Sequence, residues 1–372
     1  MGAMVVKIRW LASEMPLVVI RGKLIQESER ERVIPMSCGR ACPGRFIRFC
    51  FALYLVLPAL TQAQTCLMSG EMDVSTRTSL EGTAKRYFDM VARGDVASLK
   101  QNAIASLAAS FSGVENAVKE SQPDLSGTQP APASSFLLQV EGSEILARAE
   151  FLCGVFGKNG QTANSAEFVI PNLSPGKYGV VTLDVNGSKG PRTVSFVLQQ
   201  QGTDWKLGGL YIKDPQIAGH DANWFADRAQ AFKSKGHTHV AWLYYLEARE
   251  LAAPVPFMYT QLTDKLYDES QEVKPTDLPV DGKTVELMAD GKTYELTAIF
   301  PLPVASDLDL VVKYQSADVS DTAKTFQGNT AVMKALLLKY PEFREAFDEV
   351  VARAVEPSGK DFGSMLPMKD IK

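Results

Sequence analysis

Between Tyr178 and Ile212 three stretches, YGVVTLDV, TVSFVLQ and WKLGGLYI, shift toward a period of two and are separated by short turn sequences. Asn186-Gly187 follows the first, and Gln201-Gly202-Thr203-Asp204 separates the last two. Side chains alternate across a strand, and such short links leave antiparallel neighbours as the simplest pairing, so hairpins in sequence order are predicted. Glu144 to Phe156 and Ala166 to Ile170 are two further strand candidates, rich in residues that suit a pleated surface. Ahead of them, residues 78 to 119 read as helices. Ala84, Tyr87, Phe88, Val91 and Ala92 recur at helical spacing, Gly94-Asp95 breaks the run, and Val96, Leu99, Ala103, Ile104, Leu107, Ala108 and Phe111 resume it. The Pro/Ser-rich stretch 122 to 135 reads as a loop between the two regions. Helices followed by a run of strands imply an α+β fold.

AKRYFDMVARGDVASL, KYGVVTLDVNG and TVSFVLQQQGTDWKLGGLYI, in this order, resemble the NTF2-like (cystatin-like) superfamily over residues 78 to 213. The resemblance rests on the Gly-Asp break between helices and on the terminal strand with Trp205-Lys206-Leu207. It implies helices packed into a strongly bent antiparallel sheet, forming a cone. The superfamily holds isomerases and cyclases with an acid in the cone, and also many non-catalytic binders. Tyr178, Val180, Thr182 and Asp184 share one face of their strand, and Val181, Leu183 and Val185 share the other. Asp184 is therefore the weak catalytic candidate, an acid whose pKa would have to be raised for proton abstraction. No His or second acid is placed to assist it, which favours a strand-end or solvent-facing aspartate.

The cellular address comes from residues 45 to 66. Arg45 and Arg48 precede the 12-residue apolar run Phe49 to Leu60, and Thr61-Gln62-Ala63 ends it with small residues. A helix crossing a bilayer needs about 20 such residues, so the run is too short to span and has the parts of a secretory signal. Starting from Met36, residues 36 to 63 form a signal of ordinary length, residues 1 to 35 are read as an upstream mis-start, and no stable membrane span remains after cleavage. An exported protein, periplasmic or secreted, is expected. The whole chain has a formal net charge of -4; residues 1 to 63 hold nine of its 39 basic and four of its 43 acidic residues, so the remainder has 30 against 39. That balance argues against nucleic acid as a partner. Of five cysteines only Cys66 and Cys153 follow the expected cleavage point, which is consistent with one disulfide, the alternative being two unrelated thiols.

His237-Thr238-His239 invites a metal reading, since alternate residues of a strand align. On a helix the two rings point about 200° apart and cannot share an ion. Phe225, Ala229 and Phe232 before Gly236, and Val240, Tyr244, Glu247, Ala248 and Leu251 after it, recur at helical spacing, so a helical hairpin is predicted. Phe232, Gly236, Ala241, Tyr245 and Ala248, followed by Pro254, resemble a tetratricopeptide repeat, which implies small residues where two helices touch and solvated turn positions for both histidines. His220 and Asp221 are too sparse a complement for a metal site, so neither metal nor cofactor is expected. Residues 256 to 270 supply a third helix, giving a helical segment over 221 to 272.

DGKTVEL and DGKTYEL repeat at a nine-residue interval and predict a β-hairpin. Neither GKT has the preceding glycine of a phosphate loop. Asp309 to Gln315 is a further strand, and Thr330 to Val355 reads as helix punctuated at Tyr340-Pro341, with Glu342, Glu345, Asp348 and Glu349 on its solvated side. These form a small α+β domain over 280 to 356, with 357 to 372 as a tail. The sequence thus points to an exported binding or scaffolding protein whose partner is another protein or a small apolar ligand. The alternative is an NTF2-like enzyme doing acid/base chemistry on a small apolar substrate in the cone.

Overall fold

Asp73 opens the first helix. In the computed structural model, which describes residues 64–154, 156–157, 160–280, 282–304 and 307–372, its carboxylate accepts from the Thr76 amide at 2.8 Å and starts α1 (Val74–Arg93). That bond satisfies one of the amides a helix start leaves free. Gly94 ends α1 in the left-handed region (φ 70°), and Asp95 accepts from the Ser98 amide at 3.0 Å to start α2 (Val96–Gln101). The Gly-Asp break is therefore a C-cap followed by an N-cap. α3 (Ala105–Ala109) and α4 (Ser112–Leu125) complete the helical layer. The expected signal, 36 to 63, and the segment before it lie outside the described residues.

The central sheet uses β1 (Gln64–Met68), β2 (Pro130–Val140), β5 (Gly176–Gly187), β6 (Gly190–Gln201) and β7 (Asp204–Lys213), in the order β1-β2-β5-β6-β7, antiparallel throughout. Between them in sequence come β3 (Leu146–Cys153) and β4 (Ala166–Leu173), which join the later β8 (Met258–Thr260) in a second sheet of order β8-β4-β3. Val181, Leu183 and Val185 face the helices and pack with Leu80, Phe88 and Phe196. Tyr178 and Val180 face the other way and pack with Phe151, Phe168 and Ile170 of the second sheet. Both faces of the central sheet are thus covered, in the order helices, sheet, sheet.

Two local expectations need correction here. The stretch 122 to 135 is not a loop: α4 runs through Pro123 to Leu125, and β2 begins at Pro130. β1 pairs only with Phe136–Val140, so Pro130 and Pro132 lie on a part of β2 with one open edge, where a missing N–H leaves no ladder bond unmade. The first hairpin turn falls two residues beyond Asn186, because Asn186 and Gly187 still pair with Pro191 and Gly190.

The second half begins with α5 (Ala222–Ser234), α6 (Thr238–Ala252) and, after β8, α7 (Gln261–Glu272). Gly236 makes the hairpin bend at φ 82°. The third sheet follows, with β9 (Val285–Ala289), β10 (Lys292–Val304), β11 (Asp307–Gln315), β12 (Glu349–Val355) and β13 (Asp361–Pro367) in sequential order. Asp290 and Gly291 both have positive φ (49° and 74°), as the predicted Asp-Gly hairpin requires. α8 (Thr322–Lys339) links β11 to β12, which pair in parallel.

The helix expected over Thr330 to Val355 is corrected: Pro341 stops α8, residues Pro341–Glu345 form a 3-10 turn, and Glu349–Val355 is strand. Val350, Ala352 and Ala354 alternate inward, a period of two that Phe343 and Phe347 disguised as helical. Residues 357 to 372, expected as a tail, contain the edge strand β13 and bury Met368 and Ile371. One continuous core joins Phe232, Tyr244 and Tyr245 of the hairpin to Leu310, Val312, Leu336 and Val350 of the third sheet and its helix. Among the described residues no helix is long and apolar enough to cross a membrane.

Candidate functional site

The central sheet places Thr182, Asp184, Thr193 and Lys213 on the face away from the helices, at the end not covered by the second sheet. The end of α6 closes over them through Leu251 to Pro254, with Ser134 of β2 at the side. The result is an open groove of about 220 Å³ between the N-terminal unit and the helical hairpin. Its floor is polar and its roof largely aliphatic.

Lys213 is fully occupied within this groove. Its ammonium donates to the Glu250 carbonyl at 2.7 Å, the Ala253 carbonyl at 2.9 Å and the Glu250 carboxylate at 2.6 Å. It therefore caps the carbonyl end of α6, where the helix dipole favours a cation. Asp184 is exposed and forms no hydrogen bond or ion pair among the described residues. One turn before Leu251 sits Glu247, whose carboxyl is pushed up to about 7 by burial and then by the neighbouring Glu250 charge, with Lys213 opposing.

The interior expected to hold a catalytic acid is filled. On the helix side of the sheet Leu80, Phe88, Leu99, Val114 and Phe196 are wholly buried and pack together. Asp184 is on the opposite face, so it cannot act in a cone between helices and sheet. A second apolar space, about 30 Å³, lies between Leu138, Ile170, Tyr178 and Val197.

The histidines separate by role. His237 precedes α6, its amide donating to the Phe232 carbonyl at 3.0 Å, and its Nδ1 is buried without a partner among the described residues. His239 is not a solvated turn residue: Nδ1 is 2.7 Å from Glu342 Oε1 and Nε2 is 3.0 Å from Asp277 Oδ1. Its ring also lies 4.6 Å from that of Tyr340, whose hydroxyl donates to the Asp277 carbonyl at 2.7 Å. The two carboxylates stand on opposite edges of the imidazole and cannot converge on one ion. His220 stacks on Trp224 at 3.8 Å. No group of three metal-binding side chains converges among the described residues.

Phe232, Ala241, Tyr245 and Ala248 are buried where α5 meets α6, and the Tyr245 hydroxyl donates to Gln230 at 3.0 Å. The other side of the hairpin is covered too: the Tyr244 hydroxyl donates to the Ala346 carbonyl at 2.7 Å, and its ring meets Phe347. Cys66 and Cys153 are bonded, with Cα atoms 5.1 Å apart, tying β1 of the central sheet to β3 of the second.

Sequence reasoning missed Asp124 and Asp309. Asp124 is buried and organises the β5–β6 hairpin, while Asp309 is 1% exposed with Oδ1 unpartnered among the described residues. Asp124 meets Arg192, and Asp309 meets Glu349 and Asp348, across the fold, which leaves no spacing signal. No known family model, curated protein or solved structure matches this chain.

Proposed function

We propose that the protein is an exported, non-catalytic binding or scaffolding module whose ligand contacts the groove between the N-terminal unit and the end of α6. The observation that carries this reading is the outward position of Asp184, whose carboxylate is unpaired among the described residues, in a groove where Lys213 is already saturated. An unpaired carboxylate beside aliphatic side chains suits a hydrogen-bond-donating group, an ammonium above all, on a short apolar stem. The hairpin then serves as the rigid wall that holds the groove, being buried on both sides. Export is supported by the one cysteine pair that follows the expected cleavage point.

Native mass spectrometry of the untagged exported protein, isolated from its own cells, tests the reading. Retained ligand mass is expected in the wild type and its loss in Asp184→Asn. Equal retention by both would remove the groove from the proposal, and turnover of a small substrate lost in the same variant would favour the enzyme alternative. N-terminal sequencing of that material beginning before Met36 would overturn the assigned signal.

A further inference from the structure

His239 stands at a seam between three parts of the chain. It projects from the first turn of α6, Asp277 belongs to the link between α7 and β9, and Glu342 to the turn after α8. The imidazole is 19% exposed and the Glu342 side chain 14%, so water is a poor substitute for Glu342, whereas Asp277, 46% exposed, holds the ring from the solvent side. A neutral imidazole has one N–H and one lone pair. With carboxylate oxygens at 2.7 and 3.0 Å on its two nitrogens, a neutral ring would set a lone pair against a lone pair on one side. Only the imidazolium donates to both.

We propose that His239 is a proton-operated latch that ties the start of α6 to the Asp277 link and the Glu342 turn when charged, and releases them when neutral. The other ionisable groups around the ring come from the elements packed against it. His237 immediately precedes α6, and Lys235, just after α5, is held by Glu345 at 2.9 Å. Behind the ring Lys339 lies over Tyr340 at 5.0 Å, and the Tyr340 phenol is pushed upward by burial and by the Asp277 charge. Burial would raise the Asp277 carboxyl, but the hydrogen bond and charge of His239 hold it below the usual carboxylate range.

The sign follows from those charges. Asp277 is held below the usual carboxylate range, and a ring carrying both protons donates to both partners, so the charged ring closes the latch. When the ring gives up its second proton one of the two bonds is lost and the seam loosens.

Hydrogen exchange of the full chain at about pH 5.5 and about pH 8.0, corrected for intrinsic rates, reads the latch directly. Segments 237 to 244, 274 to 280 and 340 to 347 are expected to exchange about tenfold faster at the higher pH, with β5 and β6 as the internal reference. His239→Gln, which cannot carry the charge, is expected to remove the difference. Glu342→Gln is expected to keep the seam closed at both pH values, because its amide donates to the neutral ring while Nε2–H serves Asp277. A pH response that survives His239→Gln, or a wild-type seam that does not loosen, would overturn the proposal. Should the variants fail to fold, the wild-type imidazole NMR titration decides: a ring neutral throughout, as when Glu342 carries the proton, sinks it.

Discussion

Asp124 accepts a 2.6 Å hydrogen bond from the Arg192 guanidinium, joining the end of α4 to the strand after the β5–β6 turn. The same carboxylate accepts from the Lys189 amide at 2.6 Å and the Ser188 hydroxyl at 2.9 Å, and the Asp124 carbonyl accepts from the Ser188 amide at 3.0 Å. Gly187 is required beside it, since a Cβ there would stand 2.8 Å from both carboxylate oxygens.

Removing this carboxylate leaves Arg192, only 14% exposed, with Asp214 as its remaining partner. Breaking one side of a buried pair typically costs about 3 kcal/mol, and that loss is expected for Asp124→Ala in urea unfolding. Burial would raise the Asp124 carboxyl, but its bonds from Lys189, Ser188 and Arg192 hold it below the usual range. Its contribution is therefore complete above about pH 4 and falls away as pH drops through the lowered value. An unfolding midpoint unchanged by Asp124→Ala would contradict the assignment.

Asp309 has the opposite sign. Burial, followed by the charges of Glu349, Asp348 and Asp307, pushes its carboxyl up to about 6. An acid with a raised folded value contributes stability below its unfolded pKa and loses it as pH rises through the folded one. Asp309→Asn is therefore expected to be more stable than wild type by about 2 kcal/mol at neutral pH, with the gap closing near pH 4. Thermal unfolding of both proteins across that range reads the difference, and a gap that does not depend on pH would refute the cause given.

The Cys66–Cys153 bond closes a separation of 87 residues and fastens the edge strand β1, which also pairs with β2 and accepts from the Glu150 amide of β3 through Gln64 Oε1 at 2.6 Å. On a chain-entropy estimate such a loop contributes about 4 kcal/mol. Reduction, or the Cys66→Ala/Cys153→Ala pair, is expected to lower the unfolding midpoint and to free the β1 amides before those of β5 and β6. Equal protection of β1 in both forms would show that the bond is not what holds it.

How much of this was legible depended on whether the signal was local. The elements that meet at Gly94-Asp95, Gly202 and Asp290-Gly291 were, because those turns act within a few residues of themselves, whereas the start of β2, read as loop, and β13, read as tail, were not. The hairpin bend at Gly236 was legible for the same reason. The helix expected through Val350 failed because strand β12 is apolar on the buried side and partly apolar on the other, which blurs a period of two. Asp184 was assigned to a face correctly by alternation, but alternation does not say which layer covers that face. His239, Glu342 and Asp277 meet across 103 and 38 residues of sequence, so no spacing could have brought them together.

Two glycines facing opposite circumstances test how tightly the helical layer sits on the sheet. Gly179 in β5 faces α1, and a Cβ built there would fall 2.1 Å from Leu80 Cδ1, a side chain that is itself wholly buried. Gly82, on α1 nearby in sequence, has nothing within 4 Å of its own Cβ position. Overpacking a filled core costs about 1–3 kcal/mol, whereas replacing glycine inside a helix by alanine gains about 0.5–1 kcal/mol. Gly179→Ala is therefore expected to destabilise and Gly82→Ala to stabilise, read as opposite shifts in urea midpoint. If Gly179→Ala were neutral, the helices would have room to move off the sheet, and the filled interior that argues against a catalytic cone would have to be abandoned.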